Sequence, residues 1–182
     1  MSRHSLVAGL LSLALLSGCA TETVFRPTPS PTAVADKPFA VSGRLSVNAD
    51  GKGHVANFEW THQPAADQLS VNSPLGNTVA RLERTDAGVT LQADGKTWQA
   101  GDVEQLTEQV LGWRLPMSNL AWWIRGLPAP GAEFSHAADG SLLQQGWQIR
   151  FVSDADAVGE YPKRVEMQRD KLTIRLVPQV WH

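Results

Sequence analysis

From residue 39 onward, apolar and polar positions alternate with a period of two, the pattern of strands buried on one face. Phe39, Val41, Leu45 and Val47 alternate with Ala40, Ser42, Arg44 and Ser46. Asp50-Gly51-Lys52-Gly53 predicts a tight turn, and Ala56, Phe58 and Trp60 then return, interleaved with Asn57 and Glu59. A second turn is expected from Gln63 to Asp67, followed by Leu69 and Val71 alternating with Ser70 and Asn72. Further strand patterns cover 79–83, 88–92 and 96–99, separated by turns at 85–88 and 93–95. Strands joined by such short turns pair with their neighbours as an antiparallel meander. No internal repeat of solenoid length is present.

The middle of the chain changes period. Val103, Leu106, Val110 and Leu111 fall at helical spacing, with Asp102 placed to cap the N-terminus and Gly112 to stop the helix. A second helix is expected over 119–125, capped by Ser118 and closed by Gly126 and Pro128. Its sequence, NLAWWIR, is unusually apolar. Strands resume with Trp147, Ile149 and Phe151, then Val165 and Met167, then Leu172, Ile174 and Leu176. The resulting class is α+β: one curved antiparallel β-sheet of about 8–11 strands, covered on one face by two or three helices.

The first 38 residues do not belong to that pattern. Arg3 and His4 precede an apolar run from Leu6 to Leu16, too short to span a bilayer, which takes about 20 residues. It has the length of a signal-peptide core and ends in Leu16-Ser17-Gly18-Cys19, which is similar to the lipobox of bacterial lipoproteins at all four positions. The similarity implies cleavage before Cys19 and acylation of that residue. At about 0.8 kcal/mol per buried methylene, several acyl chains anchor a protein durably without spanning the membrane. Ala20 follows the cysteine where an Asp commonly signals inner-membrane retention, so the outer membrane is the expected location. Residues 21–38 carry Pro27, Pro29, Pro31 and Pro38 and little apolar content, the composition of a tether. The expected organisation is a lipoprotein signal peptide at 1–18, a lipidated cysteine and tether at 19–38, and one domain at 39–182.

Composition narrows the function. The 16 Lys and Arg nearly balance the 18 Asp and Glu, giving −2 with no basic run, which argues against nucleic-acid binding. The single cysteine excludes an intramolecular disulfide framework. GxSxG, HExxH, Walker, GxGxxG and zinc-spacing motifs are all missing from the sequence. His54, His62 and His136 stand apart near predicted turns and read as exposed loop residues; the acidic residues read as solvated charge. The sequence therefore offers no catalytic constellation, no metal site and no cofactor site.

It does offer apolar material. Trp60, Trp98, Trp113, Trp122, Trp123 and Trp147 fall in predicted strands or around the helices. A curved sheet under helices either packs these rings into a filled core or encloses a concave apolar site. Composition leaves both open, as it does the role of Leu75, the one large apolar residue in the turn-rich stretch from Asn72 to Asn77.

Several segments of the domain, taken in order, resemble the LolB family of outer-membrane lipoprotein receptors. They are the strand from Phe39 to Leu45, Phe58-Glu59-Trp60, Ser73-Pro74-Leu75-Gly76, Leu115-Pro116 with Leu120, and Trp123 to Pro128. Gln145-Gly146-Trp147, Pro162 and Trp181 continue the likeness. The resemblance implies a half-open antiparallel barrel with a helical lid and an apolar cavity. It implies a receptor, not an enzyme, that takes acylated lipoproteins from a LolA-type periplasmic carrier and releases them into outer-membrane lipid. On that reading the cavity-wall candidates are Leu45, Phe58, Trp60, Leu69, Val71, Leu82, Trp122, Trp123, Trp147, Ile149, Met167 and Ile174. The family's protruding loop maps onto Leu75 as the membrane-inserting residue. The protein is expected to face the periplasm as a monomer. The alternative is a periplasm-facing lipoprotein of similar fold that acts as a protein-binding scaffold or envelope-stress sensor.

Overall fold

The computed structural model describes residues 23–24, 36–153 and 161–182. The expected signal peptide, Cys19 and most of the tether lie outside the described residues. In chain order the elements are β1 (Thr23–Val24), β2 (Phe39–Ala49), β3 (Lys52–Gln63), β4 (Ala66–Asn72), β5 (Thr78–Thr85), β6 (Gly88–Ala93), β7 (Lys96–Ala100), α1 (Val103–Leu111), α2 (Met117–Trp123), β8 (Phe134–His136), β9 (Leu142–Gln144), β10 (Trp147–Ser153), β11 (Arg164–Arg169) and β12 (Leu172–Trp181).

All strands belong to one antiparallel sheet in the order β7-β6-β5-β4-β3-β2-β12-β11-β10-β9-β8, with β1 paired to the end of β10. Two meanders, β2–β7 and β8–β12, are thus joined through the β2–β12 pair. The α+β class and the open antiparallel sheet expected from the sequence are both present. Because α1 and α2 connect β7 to β8, the two free edges, the helical segment has to cross the open side of the sheet. That topology places the helices before any side chain is considered.

Period two is obeyed where it matters. Trp147, Ile149 and Phe151 on β10, and Leu172, Ile174 and Leu176 on β12, are buried, and the residues between them are exposed. Asp50-Gly51 and Asp94-Gly95 supply the positive φ values that two-residue hairpins demand (48° and 81°, 49° and 70°). At the seam, β12 is bulged between Pro178 and Val180 where it pairs with β2. A Cβ on Gly43, opposite Pro178, would strike the carbonyl oxygen of Val177, so only glycine lets the bulge lie against β2. Trp181 then closes over Phe39 and stacks on Tyr161 at 4.3 Å between ring centres.

α1 forms as expected. The Asp102 side chain accepts from the Gln105 amide, and Gly112 ends the helix at φ 79°. α2 differs from the expectation. It begins at Met117, Pro116 occupies the cap position, and Ser118 lies inside the helix and caps nothing. The preset φ of proline starts the helix without a side-chain acceptor. At the other end the Gly126 amide donates to Trp123 O and the Leu127 amide to Trp122 O, the paired bonds of a Schellman closure. Two more expectations need correction. The turn between β3 and β4 is only Pro64-Ala65, so Asp67 is a strand residue. His62 is also a strand residue, and both side chains are buried.

Candidate functional site: the interior beneath α2, a tether-end polar cluster and the Leu75 loop

Of the twelve cavity-wall candidates, nine are buried in one apolar cluster: Phe58, Trp60, Leu82, Trp122, Trp123, Trp147, Ile149, Met167 and Ile174. Leu45 and Leu69 pack against that cluster while partly exposed. Val71 is half-buried and stands outside it. The cluster unites both meanders with α2, whose Met117, Leu120, Ala121, Trp122 and Trp123 are all buried. Ser118 and Asn119 alone turn to the outside, and the remaining five residues of α2 pack where the candidate residues meet. The cluster also includes Met117, Ile124 and Leu142, which sequence reasoning did not name as candidates, and Leu106 and Phe151, which it placed on the apolar faces of α1 and β10 without offering them as cavity wall. The signal for Met117 and Ile124 was the apolar character of the segment itself.

Hydrogen bonds hold α2 on the side of the second meander. The Trp123 Nε1–H donates to Gln144 Oε1 at 2.8 Å, and the Trp123 and Trp147 rings lie 6.1 Å apart. The Gln144 side chain, 2% exposed, also accepts from the Ala129 amide and donates to the Ala129 and Ala132 carbonyls. Thr107 accepts from the Leu115 amide and donates to Val103 O, tying α1 to the connection that follows. Neither polar residue was visible as structural in the sequence, because nothing local marks a polar side chain as buried. Two open grooves, of about 490 and 690 Å³, lie among the β9–β10, β11–β12 and β2–β3 turns; of the candidates, Trp147 alone lines either.

At the opposite end, where the tether enters, sits a polar cluster that the sequence reading missed. Asp67 Oδ1 accepts from Trp60 Nε1 at 2.9 Å and from His62 Nδ1 at 2.7 Å, and Asp67 Oδ2 accepts from Arg84 Nε. His62 Nε2 lies 3.0 Å from Asp36 Oδ1, which also takes Arg125 Nη2 at 3.4 Å. With carboxylates on both ring nitrogens, His62 donates twice, as an imidazolium. Burial alone would lower its pKa, but the hydrogen bonds to Asp67 and Asp36 outweigh burial and hold it above the ordinary value. Burial would raise the Asp67 carboxyl, yet bonds from His62, Arg84 and Trp60 keep it below its usual range. His54 and His136 are exposed, as expected, although both lie in strands.

The Leu75 loop connects β4 to β5. The Gly76 amide donates to Ser73 O at 2.9 Å and the Ser73 amide to Asn77 O at 2.8 Å, while Gly76 has φ 89°. This is a type I turn closed by a glycine bulge, with Pro74 presetting its first corner. Leu75 takes the second corner and is 89% exposed. The backbone, not a packing partner, holds it outward.

A family described as "Outer membrane lipoprotein LolB" matches residues 37–181, which span β2 to β12, both helices and the Leu75 loop. The chain belongs to the LolB family. An outer-membrane lipoprotein LolB from Chromobacterium violaceum is 65% identical over 173 residues, covering 94% of this chain and 96% of the relative. One from Neisseria meningitidis is 33% identical, covering 96% and 89%. Among solved structures, a LolA superfamily protein from Nitrosomonas europaea aligns with TM-score 0.45 and 7% identity, covering 81% of this chain and 86% of that one. This LolB-family chain is accordingly an outer-membrane lipoprotein.

The polar cluster of this LolB-family chain makes its stability depend on pH from two sides. His62, with a raised pKa, contributes stability that is fully present below about 6.5 and lost as pH rises through its folded value. Asp67, with a lowered pKa, contributes stability present above about 3.8 and lost as pH falls through its folded value. Urea midpoints measured from pH 5 to 9 should fall on the alkaline side. His62→Gln should be less stable at pH 5 and nearly flat across that range; an unchanged alkaline decline in the variant would assign it elsewhere.

Proposed function

We propose that this chain is the receptor that accepts the acyl chains of lipoproteins from a LolA-type periplasmic carrier and delivers them to outer-membrane lipid. The observation that carries the reading is α2: an uncharged helix with five of its seven residues buried in the cluster, in the connection between β7 and β8, the two sheet edges, which do not pair with each other. A space filled by one helix is a space that an acyl chain can occupy when the helix shifts. The candidate residues around it are aromatic and aliphatic, so acyl chains meet hydrocarbon while the Trp60 and Trp123 N–H groups keep Asp67 and Gln144 as partners. No nucleotide motif is present in the sequence, so each step runs downhill in affinity, with every tenfold preference worth about 1.4 kcal/mol. The domain works as a monomer on the periplasmic face, held by acylated Cys19. Membership of the LolB family disfavours the scaffold alternative.

Anchoring and cargo binding then separate. A signal-less chain beginning at Cys19→Ala should be soluble and should still take an acylated lipoprotein from its carrier, measured as transfer between the two purified proteins. A folded, soluble form that takes none would overturn the receptor reading.

A further inference from the structure

Asp36 is the residue through which the tether meets the domain, and its carboxylate touches two different elements. Oδ1 lies 3.0 Å from His62 Nε2 on β3 and 3.4 Å from Arg125 Nη2, just beyond α2. Arg125 is 5% exposed, its Nε donates to Ala121 O at 2.8 Å, and its guanidinium lies 4.7 Å from the Trp122 ring centre and 5.5 Å from that of Phe39. A buried guanidinium needs a paired carboxylate, because an unpaired buried charge is strongly unfavourable. Among the described residues, side-chain hydrogen bonds from α2 run to Gln144 and Gln145, on the second meander. On the side of the first meander, Arg125 lies over the Phe39 ring and pairs with Asp36, which in turn meets His62 on β3.

That asymmetry has a mechanical consequence. The residues available to hold acyl chains are packed against α2, so an incoming chain has to shift it. A helix bonded firmly on the β9 side and by one carboxylate on the other swings about the β9 side. The opening lies at Asp36.

We propose that Asp36 is a positioning residue, a latch that holds α2 closed through Arg125 and His62 and must let go before an acyl chain enters. This proposal rests on the acyl-binding reading above. Releasing the latch enlarges the open fraction of molecules, and both uptake rate and apparent affinity rise with that fraction.

The test uses the full mature chain with Cys19→Ala and the fluorescent fatty acid cis-parinaric acid, mixed in a stopped-flow instrument. Asp36→Asn keeps the shape of the side chain and removes its charge; its uptake should be faster by about tenfold. Arg125→Lys keeps the charge and loses the planar fork, so it should also speed uptake. The double variant should be no faster than the faster single one, since both break one contact. Lys37→Gln, at the exposed neighbouring position, should match the parent. Folded Asp36→Asn and Arg125→Lys proteins with parental uptake rates, or with lowered melting temperature alone, would overturn the latch while leaving acyl binding intact. Failure of the parent protein to take up the fatty acid at all would overturn the acyl-binding reading and the latch with it.

Discussion

Trp123→Ala should lower the stability of the domain by about 3–5 kcal/mol, the range for removing a fully buried large aromatic side chain. Trp123 has no exposed surface, lies against Trp147 and donates to Gln144. Its loss leaves a cavity between α2 and β10 and removes one of the bonds that orient α2. Gln144 retains Ala129 and Ala132 as partners, so the penalty of a wholly orphaned buried amide is avoided. Its neighbour should behave differently. Trp122 is 8% exposed and lies under the Arg125 guanidinium, next to the proposed opening. Trp122→Ala should cost less stability than Trp123→Ala and should weaken fatty-acid binding more. Urea denaturation and fatty-acid titration on both variants check the division. Equal stability losses with unchanged binding would return both rings to a purely structural role.

Most of the sheet is legible in the sequence because its strands follow one another through short turns and bury alternate residues. In the run from Phe39 to Gln99 period two and the Asp50-Gly51 and Asp94-Gly95 turns set the β2–β3 and β6–β7 hairpins, whereas the Pro64-Ala65 turn and the shifted register at Asn72 are not local signals. Helix α1 is equally readable, since its cap and stop are local. The start of α2 is not: Ser118 has the right chemistry for a cap, but Pro116 begins the helix two residues earlier. Local rules also miss polar residues buried by distant partners. His62 and Asp67 look like turn residues until β4, β5 and the tether bring Arg84, Trp60 and Asp36 to them. Gln144 is the same case. Whether the apolar candidates line a cavity or fill a core was open in the sequence for a related reason: both arrangements use the same residues, and the difference is where α2 lies. Leu75 was readable as a loop residue, but its outward direction depends on the positive φ of Gly76 and the bonds across the turn.

Leu75→Glu should leave folding and acceptance nearly unchanged and slow release into lipid by roughly tenfold or more. The loop is held by Ser73, Gly76 and Asn77 through backbone bonds and the Ser73 hydroxyl, none of which uses the Leu75 side chain. An exposed substitution of this kind changes stability by about 0.5 kcal/mol at most. On entering a bilayer interface the leucine gains about 1–2 kcal/mol, at roughly 25 cal/mol per Å² of apolar surface. That is too little to anchor a protein, but 1.4 kcal/mol is already tenfold in a rate. The geometry sets a further condition. β4 meets the loop at Asn72, paired with Asn57, whereas the tether end lies beyond Gln63, some six residues or about 20 Å further along β3. Leu75 and the described end of the tether, Asp36, thus sit toward opposite ends of the sheet. From Cys19 to Asp36 the chain can extend about 60 Å, enough to turn the Leu75 end onto the same bilayer. With Thr23 paired to Ser153 only about four residues, roughly 14 Å, remain. On the proposed reading, with Cys19 as anchor and Leu75 as the inserting residue, the two-residue pairing of β1 with β10 should open for release, and the interfacial energy of Leu75 should favour that arrangement. Removing that energy should make cargo accumulate on the receptor. One preparation of the variant suffices to measure melting temperature, acceptance from the carrier and transfer to vesicles of outer-membrane lipid. A stable variant that accepts and releases normally would remove Leu75 from the site.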